Sequence, residues 1–188
     1  MSDESAAPQA LHSLLVLGGA RSGKSRYVQT LAENSGKAPV LIATAAAGDA
    51  EMAARIAKHR ADRGMLWQVV EEEIDVAGVL RREAAANRII VVDCLTLWLS
   101  NLMLRSQDIE SHFEALAQAI RHLAGPAAFV SNEVGLGIVP DTALGRAFRD
   151  AQGQINQRLA SICDAVVLVA AGLPLQLKPQ RQDVRLEL

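Results

Sequence analysis

Residues 14 to 26 read LLVLGGARSGKSR, and no other stretch of this chain restricts its fold as strongly. An apolar run ends at Gly18 and Gly19, and a third glycine, Gly23, is followed directly by Lys24 and Ser25. The spacing satisfies G-x-x-x-x-G-K-[ST], in which a strand turns through a glycine-rich loop into a helix. Glycine admits positive φ and carries no Cβ that would block an anion, so successive N–H groups from Gly19 to Ser25 can point inward. The helix begun at Lys24 adds the positive end of its dipole. The Lys24 ammonium suits the β- and γ-phosphate oxygens as a catalytic cation, and the Ser25 hydroxyl suits Mg²⁺. The flanks agree, since SLLVLG reads as a buried strand and SRYVQTLAE as a helix.

The rest of the 188 residues fits that start. Short aliphatic runs predict strands over 13–18, 39–44, 66–71, 88–93, 127–131 and 165–170, and stretches rich in Ala, Leu, Glu, Gln and Arg predict helices between them. Alternating strand and helix implies an α/β chain, a single-domain P-loop NTPase fold with a mainly parallel sheet, helices on both faces and a RecA-like arrangement. Residues 1–12 are acidic and polar and read as a mobile tail before a catalytic domain over 13–188. A net charge of −2, with both signs mixed along the chain, gives no field for nucleic acid or an anionic membrane. The longest apolar run, IIVVDCLTLWL, is short and broken by Asp93, and the N-terminus has no signal-peptide pattern, which points to a cytoplasmic chain. Cys94 and Cys163 lie in or beside apolar runs, as buried thiols do in a reducing compartment. A nucleophilic role for Cys94, next to Asp93, is the alternative.

A second strand of a P-loop sheet should bring a carboxylate to the phosphates, and RIIVVD ends on Asp93. Asp93 can orient Mg²⁺ with Ser25, or cap the helix that starts at Leu95. A regulatory GTPase would carry Asn-Lys-x-Asp, of which Asn132 in VSNEVGLG is the sole member, and DAQG at 150–153 falls inside a predicted helix. In EMAARIAKHRADRG a helix would line up Met52, Ile56, His59 and Arg63, with Arg60 beside them. His59 is then either a partly buried side chain of an amphipathic helix or a neutral imidazole able to attack phosphorus, with the arginines stabilising the charge that develops.

Together these segments resemble the bifunctional adenosylcobinamide kinase and adenosylcobinamide-phosphate guanylyltransferase family of cobalamin biosynthesis. The resemblance runs from Leu15 to about Lys178 through GGARSGKSR, IAT, DAEMAARIAKHRADR, Trp67, Glu71, VVDCLTLWLSNL, SNEVGLGIVP and FRDAQGQINQRLA, in that order. It implies two reactions: phosphorylation of the aminopropanol hydroxyl of adenosylcobinamide by ATP or GTP, then transfer of GMP from GTP through a guanylyl-His59 intermediate. It also implies a homotrimer and Mg²⁺ held by Ser25 and Asp93. Nucleotide contacts would come from Gly18, Gly19, Ala20, Arg21, Ser22, Gly23, Lys24 and Ser25, from Ala43, Thr44 and Ala45, and from Arg60, Ala61, Asp62, Arg63, Glu71 and Asp93. Glu71 suits a guanine or ribose partner, because a carboxylate accepts from N–H or hydroxyl groups.

The chain departs from the family pattern at Gly64, where proline is frequent, at Asp93, where some members have Glu, and at Lys58, which stands where some have histidine. Asn132 and Glu133 read as a substrate loop, with Glu133 either the base of the kinase step or a locally paired carboxylate. Arg149, Asn156 and Gln157 face a neighbouring subunit, the corrinoid, or simply solvent. A P-loop kinase without nucleotidylation would need Lys24 but not His59, and a nucleotide-dependent regulatory protein would need no turnover. Because the loop binds β- and γ-phosphates while His59 must reach the α-phosphorus, either the His59 segment moves or GTP is held differently in the two reactions.

Overall fold

The computed structural model describes residues 11–45 and 66–179. The elements run β1 (Ser13–Gly18), α1 (Lys24–Glu33), β2 (Ala38–Ala43), β3 (Gln68–Glu71), α2 (Val76–Glu83), β4 (Arg88–Asp93), α3 (Leu95–Leu104), α4 (Ile109–Arg121), β5 (Ala127–Asn132), α5 (Ala143–Ile162), β6 (Ala165–Ala170) and β7 (Leu173–Lys178). Six of the strands are those expected from the sequence: β1, β4 and β6 have the expected bounds, and β2, β3 and β5 differ by one or two residues at their ends. The predicted helix over 49–63 lies outside the described residues.

The strands form one seven-stranded sheet in the order β3-β2-β4-β5-β1-β6-β7. Every pairing is parallel except β6 with β7. Alternate residues of each central strand enter different cores. Leu15, Val40, Ile42, Ile90, Val92 and Phe129 pack on one face with residues of α2, α3, α4 and α5. Val16, Leu41, Val91 and Val130 pack on the other with Val28 and Ala32 of α1 and with Trp67. Burial on both faces explains why these strands read as continuous apolar runs rather than as alternating ones. Among the described residues, no helix is long and apolar enough to cross a membrane.

Local chemistry sets the helix starts. Asp75, Asp108 and Thr142 cap α2, α4 and α5 by accepting from Gly78, from Glu110 and Ser111, and from Gly145 N–H groups. Helix α5 is fixed from two sides. The Arg158 guanidinium lies 3.8 Å over the Phe113 ring of α4, and Lys178 of β7 donates to the carbonyls of Ala160, Ser161 and Cys163 at the helix C-terminus.

β7 is the strand that the sequence did not announce. It joins β6 through Ala171 and Gly172, whose φ values of 51° and 81° form the positive-φ pair that suits a two-residue hairpin. Pro174 interrupts its pattern, and proline in a sheet belongs on an edge, which is where β7 lies.

At the start of β1, Asp164 Oδ2 accepts from the His12 N–H, the Ser13 N–H and the Ser13 hydroxyl, at 2.9, 2.9 and 3.0 Å. Ser13 Oγ in return accepts from the Asp164 N–H. His12, which the sequence places in the tail, is thus tied to the sheet. Partial burial works to raise the Asp164 carboxyl, but these donors outweigh it and hold the group below its usual range. Asp164→Ala is therefore expected to lower stability by about 1 kcal/mol at neutral pH, the exposure of the carboxylate limiting the loss. The contribution is present above the unfolded carboxyl pKa and fades as pH falls through the lower folded value. Denaturant titrations at pH 7 and below about pH 3 should show the gap between wild type and variant closing in acid.

Candidate functional site

β1 ends at Gly18 and α1 begins at Lys24, so the loop between them sits at the carboxyl end of the sheet. Its glycines are required by contact and by conformation. A Cβ on Gly18 would stand 2.5 Å from both the Val169 carbonyl and Ser22 Oγ, and Gly23, the N-cap of α1, has φ of 98°. Arg21 also takes a positive φ, 58°. The β6–β7 turn braces the loop, because the Gly172 N–H donates to the Ser22 carbonyl at 2.8 Å. Lys24 is buried, and its ammonium donates across the loop to the Gly19 carbonyl at 2.9 Å. Gly23 brings no side chain to cap α1, and the first turn of a helix is where backbone N–H groups and the helix dipole favour an anion.

Parallel pairing gathers the remaining strand ends at the same edge as this loop, with Asp93 level with Val130 and so two residues short of the Gly18–Asn132 pair. Gly18 pairs with Asn132, and Ala43 pairs with both Asp93 and Glu71. Ser25 Oγ lies 3.4 Å from Asp93 Oδ1. The N-cap of α3 is Cys94, so the structure does not bear out the capping alternative for Asp93. Among the described residues, no group of three His, Cys, Asp or Glu side chains gathers as a metal cage. A hydroxyl and a carboxylate side by side are instead the hard oxygen donors suited to Mg²⁺ shared with phosphates.

Thr44, expected at the nucleotide, is fully buried and braces the edge. Its hydroxyl donates to the Cys94 carbonyl at 2.7 Å and accepts from the Cys94 N–H at 2.9 Å, while its own carbonyl accepts from Asn101. The Thr44 hydroxyl is thereby occupied by backbone. Ala45 is the last described residue before the chain resumes at Leu66, and His59, Arg60, Ala61, Asp62 and Arg63, with Lys58 and Gly64, fall outside the described residues.

Beyond β5 the structure shows the local pairing foreseen for Glu133, whose Oε1 accepts from Gly135 N–H at 3.1 Å. The Glu133 N–H donates to the Gly18 carbonyl, so its backbone is fixed against the phosphate loop. Asn132 is held from both sides: its N–H donates to Thr96 Oγ1, and its carbonyl accepts from Asn156. Asn156 is buried, not on a solvated face, and accepts from both Ser131 and Gln152. Thr96, Ser131 and Gln152 lie within the segments that carry the family resemblance, but none has a role legible from the sequence, because their partners are brought to them only by tertiary packing.

The thiols do not fit nucleophilic chemistry. Burial, and next the Asp93 carboxylate, push the Cys94 thiol up, and burial pushes Cys163 up to about 12.

Comparison with solved structures places the fold among P-loop ATPases. A prototypical ATPase from the type III secretion system of pathogenic bacteria superposes with a TM-score of 0.54 at 13% identity, covering 84% of this chain and 50% of that one. The RadB recombinase superposes with a TM-score of 0.50 at 17% identity, covering 83% and 73%. Sequence relatives are much nearer. The bifunctional adenosylcobalamin biosynthesis protein CobP of Pseudomonas aeruginosa is 49% identical over 166 residues, 87% of this chain and 96% of that protein. CobU proteins of the same description from Escherichia coli and Salmonella typhimurium are 34% and 35% identical, each covering 88% of this chain and 99% of the relative. The family model described as cobinamide kinase / cobinamide phosphate guanyltransferase matches residues 14–177, and the chain belongs to that family.

Proposed function

We propose that the carboxyl edge of the sheet is one nucleotide site that serves both activities of the family. The family is a cobinamide kinase and cobinamide phosphate guanyltransferase, so the chain's substrates are cobinamide, its phosphate and a nucleoside triphosphate. The single observation that carries the reading is the contact of Ser25 Oγ with Asp93 Oδ1, which joins the start of α1, directly after the phosphate loop, to the end of β4.

In the kinase reaction the loop N–H groups and Lys24 hold the transferable phosphate, and the aminopropanol hydroxyl attacks the γ-phosphorus while the bond to the β-phosphate oxygen breaks. Glu133, anchored against Gly18, takes the hydroxyl proton, exchanging its bond from Gly135 for the substrate. Ser25 and Asp93 would hold Mg²⁺, which supplies charge neutralisation on the phosphates.

In the transferase reaction a neutral His59 nitrogen attacks the α-phosphorus of GTP, an N–P bond forms, and pyrophosphate leaves with the electron pair of the broken P–O bond. A phosphate oxygen of adenosylcobinamide phosphate then displaces the histidine, which leaves as an imidazole and regains its starting form. Arg60 and Arg63 stabilise the charge on the departing pyrophosphate. Glu71 ends β3, four strand spacings from β1, or about 19 Å away. That is the scale of an extended triphosphate and nucleoside, so Glu71 suits the guanosine end. The assembly is a homotrimer in this reading, by family resemblance.

Intact-mass measurement after incubation with GTP and Mg²⁺ tests the covalent step. The wild type should gain an acid-labile, GMP-sized increment that is absent from His59→Ala, whereas His59→Ala should keep its kinase rate within about threefold. A wild type that binds GTP but gains no adduct would leave only the kinase. Asp93→Ala should raise the Mg²⁺ concentration needed for half-maximal kinase activity by tenfold or more, read by titrating Mg²⁺ at fixed nucleotide.

A further inference from the structure

An open groove of about 730 Å³ runs along α5 from Leu17 and Glu133, and of its lining only Glu133 has a chemical role above. Its floor is apolar, formed by Leu17, Val166 and Leu177. Its wall is α5, which contributes Arg149, Gln154 and Gln157. Leu17 directly precedes Gly18, and the Glu133 N–H is bonded to the Gly18 carbonyl, so the groove opens onto the place where a transferred phosphate would lie. From Arg149 to Ala160 the helix is roughly 16 Å long, the scale of a macrocycle rather than of a small metabolite.

The charges of the lining cancel. Glu133 and Asp150 stand against Arg149 and Lys178, and Arg149 is paired with Asp150 at 2.9 Å while Lys178 is spent on three backbone carbonyls. Such a groove suits uncharged polar arms, not a second polyphosphate. Side-chain amides offer both donors and an acceptor, which matches primary carboxamides group for group.

Gly153 supplies an independent observation. It lies in the middle of the 20-residue α5 and lines the groove, although glycine inside a helix is destabilising relative to alanine. A Cβ built on it meets nothing within 4 Å among the described residues, so packing within the described chain does not call for a glycine there. A ligand that must lie close against the helix backbone does.

We infer that this groove receives the corrin ring of cobinamide, with the macrocycle on the apolar floor and against Gly153, its carboxamide arms on Gln154, Gln157 and Arg149, and its aminopropanol arm directed to Glu133. The inference rests on cobinamide being the substrate. Gly153→Leu fills the groove without removing a contact, and Gln157→Ala trims an exposed side chain.

The test measures KM for adenosylcobinamide in the kinase reaction, GTP affinity, Tm and oligomeric state for both variants. Expected are an unlowered Tm for Gly153→Leu, GTP affinity within twofold of wild type, an unchanged oligomeric state, and a cobinamide KM raised tenfold or more in Gly153→Leu and threefold or more in Gln157→Ala. A KM within twofold of wild type in Gly153→Leu would overturn the assignment, and if the oligomeric state shifts at the same time the groove belongs to a second copy of the chain. Should Gly153→Leu not fold, the double variant Gln154→Ala, Gln157→Ala takes its place with the same criterion. A wild type that turns over no cobinamide fails the function itself and takes this inference with it, a result distinct from an active wild type indifferent to the groove.

Discussion

Parallel pairing of β1 with β5 and of β4 with β2 is the constraint on which the rest of this molecule depends. Gly18 is level with Asn132, and Asp93 is level with Ala43, which is level with Glu71. A slip of one residue in any ladder would move side chains to the opposite face, and a slip of β5 on β1 or of β4 on β5 would separate Ser25 from Asp93. The register is defended by burial on both faces, because each central strand sends alternate residues into two different cores. Chemistry at the edge is therefore bought with apolar packing beneath it.

Two further devices hold the phosphate loop in place from the opposite side of β1. The β6–β7 turn hydrogen-bonds the Ser22 carbonyl through Gly172, and the Val169 carbonyl closes on Gly18 so tightly that no side chain fits there. The antiparallel edge strand thus braces the loop as well as ending the sheet. On the other side, Thr44 and Thr96 use their hydroxyls to fix the ends of β4 and β5, which places Asp93 and Asn132. The loop is preorganised for anions before a ligand arrives.

Much of this was legible in the sequence where the cause is local. The phosphate loop is a contiguous pattern, and Asp93 is the polar end of an aliphatic run, so both could be placed without the fold. Thr44 was legible as a position but not as a brace, because its partner Cys94 is fifty residues away. Asn156 read as a member of a polar helix face, and its burial with Ser131 and Gln152 follows only from how α5 packs on β5. β7 was hidden by Pro174, which removes a ladder donor and weakens the strand pattern. His59 stands apart, since spacing alone left it either structural or nucleophilic, and its expected role came from the family.

The claim that one phosphate loop serves both reactions is tested most directly with Lys24→Ala, measuring phosphorylation of adenosylcobinamide and GTP-dependent guanylylation of the protein side by side, with circular dichroism confirming the fold. The account predicts that both rates fall by a hundredfold or more, since both reactions draw on a triphosphate held by the same cradle. Guanylylation at the wild-type rate in a variant without kinase activity would contradict it and place the GTP of the transfer reaction at another site.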